Sequence, residues 1–143
     1  MLNLEILCVG GLKEDYFRAA AQEYEKRLGA YCRLHTTECR EDAQLLPFLK
    51  AHARAYKFAL CVEGQECTSP ELSAMIERCT DGGFSEIIFV IGGSDGLPEA
   101  VKAACHKRLS FSRLTFPHRL ARVILLEQLY RAQSITHGSA YHK

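Results

Sequence analysis

The amino-acid sequence predicts an α/β protein built on a mainly parallel β-sheet. Short apolar runs typical of buried strands alternate along the chain with longer segments whose apolar residues recur at helical spacing. A chain of 143 residues is long enough to enclose one hydrophobic core. We therefore expect residues 1–143 to form a single domain with helices on both faces of the sheet.

The first half of the chain contains three predicted strands and two predicted helices. Residues 2–9 alternate in polarity and then run apolar, as expected of a strand, whereas residues 14–28 repeat apolar side chains at helical spacing. A strand at 31–38, a helix at 42–55 and a short buried strand at 58–62 follow.

The second half continues the alternation. Ser69, Pro70 and Glu71 have the pattern of a helix cap, a proline at the first helical position and an acidic first turn. They predict a helix over 69–79. The later predicted elements are a strand at 86–91, a helix at 98–107, a short strand or extended loop at 109–116, and a helix at 120–134.

The last predicted helix is apolar around most of its circumference. Residues 123–126 are all apolar, and Leu129 and Tyr130 follow. A helix of this kind must be buried on more than one side. The sheet can cover one side, and we expect a second copy of the chain to cover the other. The expected assembly is a homodimer through this helix, with twofold symmetry as the default geometry.

Composition argues against a membrane protein and against a metal or disulfide scaffold. Uncharged apolar runs reach only about six residues, whereas a membrane span needs roughly 20. The N-terminus lacks the basic segment of a signal peptide. The seven cysteines include no C-x-x-C pair, and several lie inside apolar runs. We expect a cytoplasmic protein with reduced thiols and no bound metal.

The distribution of charge says more than the net charge of +1. Residues 102–143 contain eight basic residues and one acidic residue, Glu127, which is a balance of +7. The preceding residues contain ten basic and sixteen acidic side chains, a balance of −6. This asymmetry favours a C-terminal third that faces a polyanion such as RNA, although a solvated basic face also fits the pattern.

Residues 89–100 read FVIGGSDGLPEA and pose a question about the glycines between a strand and a helix. The spacing is not the G-x-G-x-x-G of a dinucleotide site, and no Gly-Lys-Ser/Thr of a P-loop follows. Two interpretations remain. The loop is either a tight turn that needs positive φ, with Pro98 at the first helical position, or a loop whose backbone approaches a ligand.

Three motifs occur in order in the second half of the chain and are followed by a distinctive C-terminus. They are Ile91-Gly92-Gly93-x-x-Gly96-Leu97, Leu114-Thr115-Phe116-Pro117-His118, Arg122-Val123-x-Leu125-x-Glu127-Gln128-Leu129-Tyr130-Arg131-Ala132 and the terminal Tyr141-His142-Lys143. Together they resemble the RlmH family of the SPOUT superfamily, which are bacterial 23S rRNA pseudouridine N3-methyltransferases. The resemblance runs from the first strand to the last residue.

The resemblance implies a C-terminal trefoil knot whose loops bind S-adenosylmethionine. Because the methyl donor is a sulfonium, no metal is needed. The glycines would then let backbone approach the cofactor and let one chain segment pass close to another. The implied cofactor contacts are Leu60, Gly92, Phe111, Ser112, Arg113, Leu114, Thr115 and Phe116.

On the substrate side, the resemblance implies that tail residues 135–143 form a lid that completes the site across the dimer. His142 is the predicted acceptor of the proton on N3, and Tyr141 is predicted to stack on or orient the base. Predicted phosphate contacts are Arg122, Arg131 and Lys143. The tail lacks the proline common in the family, which makes it more flexible. His118 matches its motif, but it also fits a purely structural role in the loop.

The leading hypothesis is therefore a methyltransferase that uses S-adenosylmethionine to methylate N3 of a pseudouridine in 23S rRNA within the ribosome. A related SPOUT enzyme with another RNA target would share the glycine loop, and the Tyr-His-Lys tail distinguishes the two. A non-catalytic protein that binds RNA or the ribosome would keep the basic third without transferring methyl groups.

Overall fold

The computed structural model describes residues 1–142, which form a five-stranded β-sheet and five α-helices. Strands and helices alternate strictly, as the sequence predicts. In chain order the elements are β1 (Asn3–Val9), α1 (Asp15–Leu28), β2 (Arg33–Cys39), α2 (Leu45–Ala51), β3 (Tyr56–Glu66), α3 (Ser69–Asp81), β4 (Glu86–Ile91), α4 (Glu99–Ala103), β5 (Lys107–Ser110) and α5 (His118–Thr136).

The sheet is parallel throughout, which confirms the predicted fold class. Its strand order is β2-β1-β4-β3-β5, and each neighbouring pair is parallel. The carboxyl ends of all five strands therefore lie at one edge of the sheet. In open sheets of this kind, ligands bind in the crevice beyond that edge.

Two hydrophobic cores lie on opposite faces of the sheet and confirm that helices cover both. Helices α1, α3 and α5 bury one face, where the Phe58 and Phe89 rings stack with their centroids 4.9 Å apart. Helices α2 and α4 cover the other face, where Leu7 and Val90 are fully buried. Strand β4 lies between β1 and β3, and residues 87–91 are buried as a fully covered central strand requires.

Two predicted helices are shorter than their apolar patterns suggested. The helix predicted at 42–55 is a 3-10 turn followed by α2, and it ends because the Ala55 amide donates to the His52 carbonyl at 3.1 Å and turns the chain towards β3. The helix predicted at 98–107 covers only α4. Lys107 instead pairs with Phe58 in the sheet, and Pro98 caps the helix from outside.

Strand β3 is longer than the predicted 58–62 because β5 pairs with it twice. Leu109 lies opposite both Leu60 and Gln65, with a register shift between the two pairings. Gly64 lies within the shift, and a Cβ atom there would come within 2.5 Å of the Leu109 carbonyl carbon. The segment predicted as a strand at 109–116 keeps only its first residues in β5 and continues as a loop.

The chain leaves the edge strand β5 and crosses the carboxyl ends of neighbouring strands before α5 begins. Near the start of α5, the Arg119 Nε donates to the Gly11 carbonyl beyond β1 at 3.3 Å. That this crossing forms a trefoil knot stays a prediction. Among residues 1–142, no helix is long and apolar enough to span a membrane.

A test of the close approach between β3 and β5 is the Gly64→Ala variant. The added methyl group would overlap the Leu109 backbone, so we expect the free energy of unfolding to fall by about 1–3 kcal/mol. Urea unfolding followed by circular dichroism measures the change. The matched control is Gln65→Ala at the exposed neighbouring position, expected to stay within about 0.5 kcal/mol. Equal stability of the two variants would contradict the close approach of Gly64 to the Leu109 backbone.

Candidate functional site

A cavity of about 300 Å³ lies at the carboxyl ends of β3, β4 and β5. Most of its wall comes from the end of β3, the glycine loop after β4, and the loop between β5 and α5, and residues of α4 and α5 complete it. Seven of the eight predicted cofactor contacts line this one cavity. They are Leu60, Gly92, Phe111, Ser112, Leu114, Thr115 and Phe116.

Arg113 is the predicted contact that does not line the cavity. Its side chain is 91% exposed, and its Nε lies 3.7 Å from a carboxylate oxygen of Glu66. An exposed ion pair of this kind contributes little to stability. The Arg113 guanidinium therefore lies on the outer side of the loop, beside the cavity and facing solvent.

The glycine loop is a tight turn that also forms part of the cavity wall. The Gly96 amide donates to the Gly93 carbonyl at 3.0 Å, and Gly96 has a φ of +79°. A Cβ atom on Gly92 would lie 2.4 Å from the Gly96 carbonyl carbon, whereas one on Gly93 would meet only Val9 at 3.6 Å. The two interpretations of the loop are thus compatible, because Gly92 packs against its own loop and lines the cavity.

Serine side chains hold the loop after β5 in a fixed conformation. The Ser110 hydroxyl donates to the Ser112 carbonyl at 2.8 Å, and the Ser112 hydroxyl accepts from the Leu114 amide at 3.0 Å. Such hydrogen bonds from serine to nearby backbone stabilise tight turns. They leave the Leu114 side chain 71% exposed at the cavity, where an apolar part of a ligand would cover it.

Another part of the cavity wall is charged. Lys102 on α4 donates to the Glu63 carboxylate, and both side chains line the cavity together with Asp95. The hydrogen bond from Lys102 lowers the pKa of Glu63, and the same bond raises the pKa of Lys102. The cavity therefore offers both an apolar wall and paired charges to a polar ligand.

His118, the first residue of α5, lies where the cavity meets a much smaller one beside the loop after β1. Burial is the main cause that lowers the pKa of its imidazole, and the neighbouring Arg119 lowers it further, while Glu14 opposes the shift. The lowered pKa favours the neutral form of the ring.

A second cavity of about 310 Å³ adjoins the first. The two share Leu60, Ser110, Phe111 and Phe116, and the second continues between α3 and α5. Its remaining wall is mainly apolar, with Ile124 from α5 on one side.

Arg122, a predicted phosphate contact, is turned into the protein. It is only 8% exposed, and its Nη1 donates to a Glu38 carboxylate oxygen at 2.6 Å. The same nitrogen lies 3.7 Å from the Cys8 sulfur. In this arrangement Arg122 links α5 to β2 and β1, and its contact with RNA stays a prediction.

The tail residues Tyr141 and His142 lie at the far end of α5 from the cavity. Tyr141 packs against Tyr130 with centroids 4.6 Å apart, and the Arg131 guanidinium lies 4.9 Å from the Tyr141 ring centre. The Nη1 of Arg131 lies 3.3 Å from the His142 Nδ1. At roughly 1.5 Å per helical residue, Arg131 is about 15 Å along α5 from Ala121, the last residue of the helix that lines the cavity.

The structure thus groups the predicted cofactor contacts but does not bring the predicted catalytic tail to them within one chain. Arg131 is paired with Glu127 at 3.1 Å and holds the tail at the same time. Lys143 lies outside the described residues. The roles predicted for these residues stay predictions.

Sequence reasoning missed Glu63 and Lys102 as cavity residues. Lys102 follows the glycine loop within a predicted helix, but only the packing of α4 beside β3 brings it to Glu63. Their separation of 39 residues carries no local signal that could have revealed the pair. Seven free cysteines and no group of metal-binding side chains occur in the part of the chain that the structure describes.

Comparison with known proteins places residues 2–142 in the family described as "Predicted SPOUT methyltransferase". Similar curated proteins are named "Ribosomal RNA large subunit methyltransferase H". The one from Oenococcus oeni is 41% identical and covers 100% of both chains. The one from Bacillus pumilus is 39% identical over 99% of this chain and 100% of its own.

Solved structures share the fold at low sequence identity. A probable methyltransferase from Bordetella pertussis Tohama I matches with a TM-score of 0.60 and 14% identity, covering 92% of this chain and 96% of that one. The SpoU methyltransferase AviRb from Streptomyces viridochromogenes, solved with the cofactor AdoMet, matches with a TM-score of 0.55 and 10% identity. The match covers 94% of this chain and 58% of that one.

The ion pair between Arg122 and Glu38 can be tested with the Glu38→Ala variant. Removing the carboxylate leaves a buried guanidinium without its charged partner, so we expect the free energy of unfolding to fall by about 1.5–3 kcal/mol. Urea unfolding measures the loss. The matched control is Glu23→Ala, which removes the exposed pair with Arg27 and should cost less than about 0.5 kcal/mol. A loss in Glu38→Ala as small as in the control would mean that Arg122 does not depend on this pair.

Proposed function

Because the chain belongs to the SPOUT methyltransferase family, we propose that it methylates N3 of a pseudouridine in large-subunit (23S) ribosomal RNA with S-adenosylmethionine as methyl donor. The observation that carries this proposal is full-length identity of about 40% to relatives named as large-subunit ribosomal RNA methyltransferases. The match spans the cavity wall and the tail, so it covers both parts that the reaction needs.

The cavity fits S-adenosylmethionine by volume and by chemistry. A volume of about 300 Å³ lies at the lower end of the range for small-molecule sites. Phe111, Phe116 and the exposed Leu114 offer apolar surface for an adenine ring, and the surrounding loops offer backbone hydrogen-bonding groups. When bound, the cofactor supplies an electrophilic methyl group on a sulfonium, which needs no metal.

The charged wall suits the polar part of the cofactor. Lys102 is a cation for the methionine carboxylate, and Glu63 and Asp95 are anions for its ammonium group or the ribose hydroxyls. The protein's task is to hold the donor and the acceptor nitrogen in line and to keep water away.

The RNA would approach over the exposed loop after β5. Arg113 projects from this loop beside the cavity, and the C-terminal third of the chain carries the excess of positive charge. Contacts to phosphate from such residues supply affinity that does not depend on sequence. A ribosomal substrate places the reaction in the cytoplasm.

The tail would act on the cavity of a second protomer. Within one chain, Tyr141 and His142 contact Arg131, which is about 15 Å of helix away from the cavity. The solvent-facing side of α5 carries Leu120, Val123 and Ile124, all only partly buried, which suits the homodimer contact expected from the sequence. A twofold pairing through α5 can bring one tail to the other cavity.

The experiment that tests the function transfers a labelled methyl group from S-adenosylmethionine to ribosomes that lack this modification. Nucleoside analysis of the RNA should then place the label on N3-methylpseudouridine. Label on another nucleoside would support a SPOUT enzyme with a different target. Absence of label together with absence of cofactor binding would overturn the proposal in favour of a non-catalytic RNA-binding protein.

Cofactor binding should depend on Gly92 far more than on Gly93. In Gly92→Val the side chain must displace the Gly96 backbone, so we expect affinity for S-adenosylmethionine to fall at least about tenfold, equivalent to 1.4 kcal/mol. Gly93→Ala is the matched control, because its methyl group meets only Val9 at ordinary contact distance. Isothermal titration calorimetry compares the two. Similar affinities would show that the loop does not shape the cofactor site.

The tail can be tested by complementation. A chain ending at Ala140 and the Gly92→Val chain should each be inactive, the first retaining cofactor binding. After dissociation and reassociation of the mixture, mixed dimers would pair an intact cavity with an intact tail from the other chain. If the chains exchange at random, about half of the dimers are mixed, and each mixed dimer has one active site. About a quarter of all sites would then be active. No recovery, despite mixed dimers detected by native mass spectrometry, would show that each tail serves its own chain.

A further inference from the structure

Methylation at N3 of a pseudouridine requires the loss of the proton on that nitrogen, so a nearby group that accepts it would assist the reaction. This consideration rests on the proposed function. Five titratable side chains line the cavity: Cys61, Glu63, Asp95, Lys102 and His118. The hydrogen bond from Lys102 lowers the pKa of the Glu63 carboxyl, which makes it a weaker base, and burial raises the pKa of the Cys61 thiol.

Asp95 and His118 remain, and they differ in position. Asp95 lies at the exposed tip of the Gly93–Gly96 turn, where it meets solvent. His118 is partly buried and lines both this cavity and the small one beside the loop after β1. Neither of its ring nitrogens makes a hydrogen bond within residues 1–142, so both are available to a substrate.

We propose that His118 is a catalytic residue that accepts the N3 proton of the target base. N3 gives an electron pair to the methyl carbon, whose bonding pair to sulfur departs with the sulfur. The N3–H electrons stay on the nitrogen, and the proton passes to an imidazole nitrogen of His118. The resulting imidazolium releases its proton to water after the product leaves, which restores the neutral ring.

The surroundings of His118 favour the neutral form of its imidazole, which is the form that can accept a proton. The amino end of a 19-residue helix disfavours a positive charge, and the neighbouring Arg119 acts in the same direction. Arg122, which lines the same small cavity, is paired with Glu38. Glu14, before α1, is the nearby acid that opposes them. The other charged groups that line the cavity are Glu63, Asp95 and Lys102. A neutral imidazole has one nitrogen free to take a proton.

The other candidate, His142, is less suited to take a proton in the described arrangement. Its Nδ1 lies 3.3 Å from the Arg131 guanidinium, which can only donate. The contact occupies a lone pair of the ring and places a cation beside it. His142 fits a role in orienting the substrate, with the proton passing to His118.

The test compares His118→Ala with His142→Ala, using His35→Gln as the control at a site whose side chain is 85% exposed. Single-turnover methylation of ribosomal RNA is measured with saturating cofactor across pH 5–9. We expect His118→Ala to lower the rate constant roughly 100- to 10,000-fold. Affinity for S-adenosylhomocysteine, measured by calorimetry without any reaction, should change less than about twofold.

Added imidazole supplies the decisive readout. It should restore activity to His118→Ala in proportion to its neutral form and leave His142→Ala unchanged. In the wild type, the rate should fall as the pH drops through the pKa of His118, because the imidazolium cannot accept a proton. Histidine NMR of the ligand-free protein should place that pKa below its ordinary value.

Three outcomes would overturn the proposal. They are full activity of His118→Ala, a loss of S-adenosylhomocysteine affinity in His118→Ala as large as its loss of rate, and imidazole rescue of His142→Ala but not of His118→Ala. Each is distinct from failure of the proposed function, in which the wild type itself transfers no methyl group to ribosomal RNA. The His35→Gln control should match the wild type in every measurement.

Discussion

The parallel direction of all five strands is the constraint on which the rest of the structure depends. It brings the end of β3 and the loops after β4 and β5 to one edge of the sheet, where they form the wall of the cavity. The loops can lie this close only because two glycines lack a side chain. Gly92 rests against the backbone of Gly96, and Gly64 rests against the backbone of Leu109. The cavity is therefore shaped by backbone, while side chains such as Leu114 and Lys102 give its two sides different chemistry.

Helix α5 connects the parts of the molecule that the proposed reaction needs. Its first residue, His118, lies at the cavity, and its last turns carry the tail. Leu125, Leu126 and Leu129 are fully buried against the sheet, and Arg122 is paired with Glu38 on β2. A helix held in so many places cannot bend to bring its two ends together. This rigidity is the physical reason why a tail that serves the cavity would have to come from a second chain.

Much of the fold follows from local pattern. Strand β4 matches its predicted bounds because an uninterrupted apolar run flanked by polar and glycine residues has few other solutions. Helix α3 begins at Ser69, but its cap is Thr68 and not the predicted Ser69, because the Thr68 hydroxyl accepts from the Glu71 amide at 3.2 Å. Helices α2 and α4 are shorter than predicted. Helix α2 ends at the turn into β3, and α4 ends before Lys107, which pairs with Phe58 in the sheet. Such competition between a helix and a strand pairing is not visible in local periodicity.

The sequence by itself determined the alternation of strands and helices, the parallel sheet, and a motif set that resembles one methyltransferase family. These features are local, since each depends on residues within a few turns of one another or on a motif of fixed spacing. Only the tertiary structure decided that Glu63 and Lys102 meet, that Arg122 turns inward to Glu38, and that His118 faces the cavity while His142 lies beside Arg131. Each of these depends on elements distant in sequence that pack together to bury apolar surface, and that packing positions the polar groups.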